Sequence, residues 1–407
     1  MPDGRRIALL FGSFRGGGVG TSFLRMAGEL VRRGFAVDLV VGRRHGDLLA
    51  LVPPEARVVE LERSSALAAY AGALRADRRA LPGLLACLRA GRQPSGKLRH
   101  LASFTAYLRR ERPDAIIAAT APFNLVACWA KHLAGLSCPL LMSEHNRFAV
   151  EEGTGTAWRY DCPPALARPA YARAQALVAV SGGIAREMSA FAGVPPDRIV
   201  TVHNPAAGPH VTEGAAAPLE HPWFAQGQLP VVLGVGMLKP QKDFPTLVRA
   251  FARVRAQRPV RLVILGDTRG DKDSTYAEAL RALPGELGIA ADVAFPGFVD
   301  NPFAWMARAG CFVLASRWEG LGNVVIEALA AGCPVVSTDC PSGPAEIRAG
   351  GTFGRLVPVG DDAAMAEAIA ATLDAPPRRA DLQARAGLFT AAGTADRYLE
   401  LLFPAAA

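Results

Sequence analysis

Two carboxylates set the chemistry available to this sequence. Glu319 and Glu327 stand eight positions apart in Ser316-Arg317-Trp318-Glu319-Gly320-Leu321-Gly322-Asn323-Val324-Val325-Ile326-Glu327-Ala328-Leu329. The strand-like run Cys311–Ala315 comes just before them, so Glu319 falls on a loop and a helix opens near Leu321 or Gly322. The first-turn N–H groups of that helix face the loop, where an anion binds well. Glu327 lies about five residues further on, roughly 7–8 Å up the axis at 1.5 Å per residue. The layout offers amides for a diphosphate, flanked by two carboxylates that can each accept from hydroxyls. Taken alone, the pair also fits a helix cap and a solvated helix residue. Trp318 and the glycines around Glu319, and the apolar residues around Glu327, favour a site, since a glutamate in such surroundings is rarely buried unpaired.

Three further places carry chemistry. Val235-Gly236-Met237-Leu238-Lys239-Pro240-Gln241-Lys242 ends a strand with a lysine that can neutralise phosphate, and Met142-Ser143-Glu144-His145-Asn146 ends another with a histidine. Gly12-Ser13-Phe14-Arg15-Gly16-Gly17-Gly18-Val19-Gly20-Thr21 joins the first strand to a helix. This loop is not a P-loop, since no lysine follows Gly17-Gly18, and it fails the dinucleotide fingerprint at Thr21. What it keeps is backbone freedom for a phosphate or sugar to approach a helix N-terminus.

The elements that must position these residues repeat. Short apolar strands at Ile7–Phe11, Ala36–Val41, Ala115–Ala119, Leu140–Met142 and Ala176–Val180 alternate with helical segments, and the alternation restarts with Pro230–Val235, Arg261–Leu265, Val293–Phe295, Cys311–Ala315 and Pro334–Ser337. The fold class is α/β: two Rossmann-like domains with parallel sheets, facing a central cleft. The boundaries are residues 1–205, a Pro/Gly-rich linker at 206–228, a second domain at 229–388, and a C-terminal helix at 389–407 packing back on the first. Half of the 407 residues are hydrophobic and 20% are charged, which excludes a disordered chain. No apolar run is long enough to span a bilayer, and the first strand is too short for a signal segment. Seven scattered cysteines without a C-x-x-C pair read as reduced core residues of a cytoplasmic protein. The net charge of +8 concentrates between Arg75 and Arg112, where leucines interleave with arginines. Two readings stay open there: ordinary solvated helices, or a basic amphipathic face resting on an anionic membrane surface. Nucleic-acid binding is disfavoured, because aromatic residues are sparse and no recognition motif is present.

The residues resemble the family 4 retaining glycosyltransferases, which have the GT-B fold, along the whole chain and most specifically in the second domain. Glu319 and Glu327 match the family's Glu-x7-Glu motif. The resemblance implies transfer from a nucleotide diphosphate donor, most naturally a UDP-sugar, to a glycan or polyprenyl-linked acceptor. Catalytic roles fall to Glu319, His145 and Lys242. Gly17, Gly18, Lys242, Asn323 and Val324 would hold the diphosphate, Glu327 the ribose, and the backbone at Phe298 and Val299 the base. No metal or other cofactor is implied. Met237 departs from the pattern, which has an arginine there. The variants at Ser143-Glu144-His145 and Cys340-Pro341-Ser342-Gly343-Pro344 are similar to members that build cell-surface glycans, implying peripheral attachment to the inner face of the plasma membrane. A sugar-nucleotide epimerase, a phosphorylase or a non-catalytic nucleotide-sugar-binding protein could share the architecture.

Overall fold

The computed structural model describes residues 4–89, 96–152, 155–158, 162–268 and 275–404. The chain divides into two compact units, one of Met1–Pro205 with Ala391–Ala407 and the other of Ala206–Thr390.

The first unit runs β1 (Arg6–Ser13), α1 (Gly18–Arg32), β2 (Ala36–Arg43), β3 (Arg57–Glu60), α2 (Ala66–Ala76), α3 (Leu81–Arg89), α4 (Leu101–Glu111), β4 (Ala115–Ala119), α5 (Ala121–Ala134) and β5 (Leu140–Glu144). A hairpin of β6 (Ala149–Glu152) and β7 (Gly155–Trp158) follows, then α6 (Pro164–Arg173), β8 (Ala176–Ala179), α7 (Gly182–Ala192) and β9 (Ile199–Thr201). The main sheet is parallel, ordered β3-β2-β1-β4-β5-β8-β9. Both faces of its central strands are buried: Ile7, Ala8, Leu9 and Leu10 are all fully covered, as a sheet sandwiched between helices requires. One charge sits inside this sheet. Asp38, fully buried in β2, accepts from Arg6 Nη1 at 3.0 Å, Arg57 Nε at 2.9 Å and Tyr107 Oη at 2.6 Å, so its ionised form is paired on several sides.

The second unit runs α8 (Pro209–Ala216), β10 (Val231–Val235), α9 (Phe244–Gln257), β11 (Arg261–Leu265), α10 (Thr275–Glu286), β12 (Val293–Gly297), α11 (Phe303–Met306), β13 (Cys311–Leu314), α12 (Asn323–Ala330), β14 (Val335–Thr338), α13 (Pro344–Ile347), β15 (Arg355–Val357), α14 (Asp362–Asp374) and α15 (Arg379–Ala386). Its sheet is also parallel, ordered β12-β11-β10-β13-β14-β15.

The stretch 206–228, expected as a linker, is instead folded into the second unit. Ala206 and Ala207 donate from their backbone to the Phe389 carbonyl at 3.0 Å each, and Pro209 at the first turn starts α8. Asn301 Nδ2 and Arg308 Nη1 hold the carbonyls of Gly214 and Ala215 at 2.9 and 3.2 Å. The composition of that stretch signals a turn, but its buried Val211 and these side-chain donors give a helix a surface to pack on. The last helix, α16 (Ala391–Leu402), belongs to the first unit. Its Ala395, Tyr398 and Leu402 join the core of β1, β2 and α1. Arg33 binds Asp396 at 2.5 Å and the Ala392 carbonyl at 3.1 Å.

Candidate active site

In an open parallel sheet, ligands bind beyond the carboxyl ends of the strands, where the strand order reverses. In the second unit that point lies between β10 and β13, the neighbours from which the chain runs outward in opposite directions. Lys242 follows β10 and Glu319 follows β13. They meet there: Lys242 Nζ donates to Glu319 Oε1 at 2.6 Å, with side chains only 15% and 10% exposed. Ser316 Oγ donates to the same oxygen at 2.7 Å.

The surrounding loops fix this pair tightly. Lys242 ends a short 3-10 turn, and Asp243 after it adopts a left-handed conformation (φ 45°) before α9 begins. Gly236 leaves room for the lysine stem, since a Cβ there would stand 3.2 Å from Lys242 Cε. Gln241 ties the two loops together: its carbonyl accepts from Arg317 N at 2.9 Å and its Nε2 donates to the Trp318 carbonyl at 2.8 Å. From β14, Thr338 Oγ1 donates to the Ser316 carbonyl at 2.6 Å, and Ser342 Oγ donates to the Glu319 carbonyl at 2.8 Å. Gly343 closes the cage with φ 92°, where a Cβ would overlap the Leu321 carbonyl. Ser316, Gln241 and Ser342, to which the sequence pattern gives no role, hold this cage together. Ser316, three residues before Glu319, carried the readable signal.

Helix α12 starts at Asn323, one or two residues later than the pattern predicts, because Gly322 is held left-handed (φ 91°) as its cap. Asn323 and Val324 form the first turn, and Glu327, four residues on, stands about 6 Å along the axis on a half-buried face. Phe298 and Val299 follow β12, two strands away from β10 on the same carboxyl edge; Phe298 is exposed and Val299 half-buried. Met237 is 36% exposed, so no cation stands at that position. Burial, and then the Glu319 carboxylate, push the Cys340 thiol up to about 12, which keeps this cysteine protonated and inert.

The remaining predicted residues belong to the first unit. Gly17 (φ 146°) precedes α1 and Gly18 begins it, both exposed to solvent. His145 follows β5 and is buried, with Ser143 Oγ 2.9 Å from its Nε2. Burial holds its pKa down at about 4 while the neighbouring Asn204 side chain opposes the shift, so the ring is neutral near pH 7. Its Nδ1 is a buried polar atom with no hydrogen-bond partner among the described residues. The turn that carries Asn204 also accepts from Thr394 Oγ1 at the His203 carbonyl, 3.0 Å away. Among the described residues, no group of three or more His, Cys, Asp or Glu is placed to hold a metal ion.

Two doubly wound parallel sheets in one chain, the second with a lysine–glutamate pair at its switch point and a helix tip beside it, have the GT-B architecture. Residues 17–205 match the family described as glycosyl transferase 4-like domain, and residues 229–375 match glycosyl transferases group 1. The chain belongs to the family 4 glycosyltransferases. Among its relatives is the N-acetylgalactosamine-N,N'-diacetylbacillosaminyl-diphospho-undecaprenol 4-alpha-N-acetylgalactosaminyltransferase of Campylobacter jejuni, 37% identical over 143 residues, 35% of this chain and 37% of the relative. The lipopolysaccharide core biosynthesis glycosyltransferase LpsE of Rhizobium meliloti is 35% identical over 178 residues, 42% of this chain and 49% of the relative. The chain spans less than half the length of these curated relatives. The fold is also that of HepE from Anabaena, solved with UDP and glucose, at a TM-score of 0.74 and 20% identity over 98% of this chain and 99% of that one.

Proposed function

We propose that this protein transfers a sugar from a UDP-sugar to a glycan or polyprenyl-linked acceptor, with retention at the anomeric carbon and without a metal. The observation that carries the reading is the Lys242–Glu319 pair at the switch point of the second sheet. Lys242 neutralises the leaving diphosphate with the first-turn amides of α12, at Asn323 and Val324, and Glu327 accepts from the ribose hydroxyls. Arg317, exposed on the loop bonded to Gln241, supplies a second cation that Met237 cannot. Glu319 accepts from the sugar hydroxyls through Oε2. Phe298 and Val299 flank the base; in the first unit, Gly17 and Gly18 leave the loop before α1 open to a phosphate. Neutral His145 offers Nδ1 to a hydroxyl of the sugar or acceptor, and the leaving phosphate oxygen takes the acceptor proton on the same face. The Campylobacter relative's name places its acceptor on diphospho-undecaprenol, and the Anabaena neighbour is solved with UDP and glucose; both support this choice of substrates.

The test is to incubate the full chain with several nucleotide sugars, with and without prenyl-diphosphate-linked sugars, in the presence of EDTA. Acceptor-dependent UDP release giving a product with the donor's anomeric configuration is expected. Epimerised donor without transfer, or donor binding without turnover, would overturn the reading.

We further infer attachment to an anionic membrane at the cytoplasmic face. Among the described residues no helix is long and apolar enough to cross a membrane. On α3, however, Leu81, Leu85 and Leu88 share one face and are 45%, 39% and 53% exposed, with Arg78, Arg79 and Arg89 beside them. Flotation with anionic vesicles should carry the protein up, and serine at all three leucines should leave it in the pellet. Equal flotation of the two would remove this part.

A further inference from the structure

The first unit contains a cavity of about 410 Å³ that the reading above does not use. Its lining includes Arg15, Arg43, His45, Arg63, Lys97 and His100, and no carboxylate. These residues come from separate stretches of chain: the ends of β1 and β2, the segments after β3 and before α4. The topology collects them at the carboxyl edge of the sheet, beside the reversal between β1 and β4. Glycines keep the space open. A Cβ on Gly42 would stand 3.1 Å from both His100 Nε2 and Phe123 Cζ, and one on Gly12 would stand 3.7 Å from Phe123. The Phe123 ring forms a wall, with His100 stacked on it at 6.1 Å and Lys97 Nζ 5.5 Å from its centre. His100 is anchored through Nδ1 to the Glu62 carbonyl at 3.1 Å. Its pKa is lowered by burial first, with the Glu62 carbonyl opposing and the charges of Arg63 and Arg43 adding to the fall.

A concave site walled by guanidinium groups suits phosphate oxygens, which arginine binds with paired parallel hydrogen bonds. The volume is that of a small-molecule site rather than of a single ion. Neither Gly17 nor Gly18, the residues of this unit assigned to the donor diphosphate, lines it. We propose that this cavity binds the phosphate or diphosphate of the acceptor, so that the acceptor is an anionic phosphate ester, free or lipid-linked. The proposal rests on the transferase reading above, which neutralises the donor diphosphate with Lys242 and the first turn of α12 and leaves a second anion to be placed.

The experiment measures binding to the full chain by calorimetry with UDP held at saturation, using inorganic pyrophosphate, glucose 1-phosphate, and farnesyl diphosphate in neutral detergent micelles. The comparison is Arg43→Glu/Arg63→Glu; both side chains are exposed, so the fold should survive, and a thermal melt checks it. The wild type should bind at least one probe with UDP present, and the double variant should bind it more weakly by about tenfold or more, as expected from losing two charge-assisted contacts. UDP affinity should change less than twofold. Preference for farnesyl diphosphate would assign the phosphate to a lipid carrier, and preference for glucose 1-phosphate to a soluble sugar phosphate. Loss of all probe binding when UDP saturates, or affinity within twofold in the double variant, would overturn the proposal. Unaltered UDP binding and turnover in that case would leave the transferase reading standing, whereas absence of UDP binding would sink that reading instead.

Discussion

Replacing Lys242 by methionine separates structure from chemistry at the site. Unit charges 2.6 Å apart at an effective dielectric near 20 attract by about 6 kcal/mol before desolvation is subtracted. With the two side chains 15% and 10% exposed, most of the desolvation is already incurred in the folded state. Lys242→Met strands the Glu319 charge against Ser316 alone and should destabilise the second unit by about 3–4 kcal/mol. Glu319→Gln should cost less, about 1–2 kcal/mol, because the long lysine stem can carry its ammonium toward water. The double variant leaves no buried charge unpaired and should regain about 2 kcal/mol of the summed losses. Turnover should behave differently: each single variant drops by about 10²–10³-fold, and the double variant recovers none of it, since both the phosphate cation and the sugar acceptor are gone. Urea melts read the stability, with the second-unit transition identified by its shift on adding UDP, and UDP release reads the rate. Additive stability losses, with coupling under about 0.5 kcal/mol, would refute the buried-pair argument. Wild-type turnover in Lys242→Met would refute the role in leaving-group stabilisation.

Further tests follow from single side chains. Arg348 is fully buried, burial pushes its pKa down to about 10, and none of its three guanidinium nitrogens has a hydrogen-bond partner among the described residues. Arg348→Met should therefore stabilise the second unit by about 1–4 kcal/mol, seen as a higher melting temperature in calorimetry; an unchanged or lower one counts against it. Buried His145 titrates near 4 when folded, against 6.5 in its unperturbed state, so below pH 6.5 the unfolded chain takes up the proton first. Stability is then complete above that pH and falls as pH drops toward 4, by about 3 kcal/mol for this group, and melts of His145→Gln over the window should fall less steeply. Gly343→Ala should cost about 1–3 kcal/mol and weaken UDP binding, because it pushes the Leu321 carbonyl away, while Gly350→Ala, at φ 65° with open space around its Cβ, should cost about 1 kcal/mol and leave UDP affinity alone. Equal UDP affinities in those two variants would detach Gly343 from the site.

What could be read from the sequence was local. The strand, glycine turn and apolar helix around Glu319 lie within twenty consecutive residues, Cys311 to Ala330, so periodicity and turn chemistry were enough to locate the loop and the start of α12 to within one or two positions. Strands with continuous apolar runs, such as Ala115–Ala119 and Arg261–Leu265, were found at their observed limits. The short edge strands Arg57–Glu60, Ile199–Thr201 and Arg355–Val357 were not, because an edge needs fewer apolar residues and its pattern is too short to stand out. The Lys242–Glu319 contact joins residues 77 positions apart, and only the parallel pairing of β10 with β13 brings them together. The basic cavity was less readable still. Its cations are scattered from Arg15 to Lys97, most of them outside the Arg75–Arg112 stretch where positive charge concentrates in the sequence, and sheet order alone turns them into a concave surface.

The same sheet order bears on Met237. The family pattern supplies two cations from the segment after the first strand of the second unit, and here one of them is a half-exposed thioether. The remaining one, Lys242, is held by Glu319, so on the proposed reading a diphosphate would meet an ammonium that is already paired. That is no defect if the charge is needed chiefly as the glycosidic bond breaks. Diphosphate gains negative charge at that moment, and an ammonium shared with a fixed carboxylate can shift its hydrogen bonding toward the leaving oxygen without moving far. Interactions that strengthen only in the transition state raise turnover, whereas a second cation free in the ground state would mainly tighten substrate and product alike. On the proposed reading, Arg317, exposed on the loop that Gln241 bonds to the Lys242 turn, would add positive potential from the β13 side. The loss of one arginine from the pattern would then leave turnover to Lys242, with the neighbouring strand's loop adding only a more distant charge.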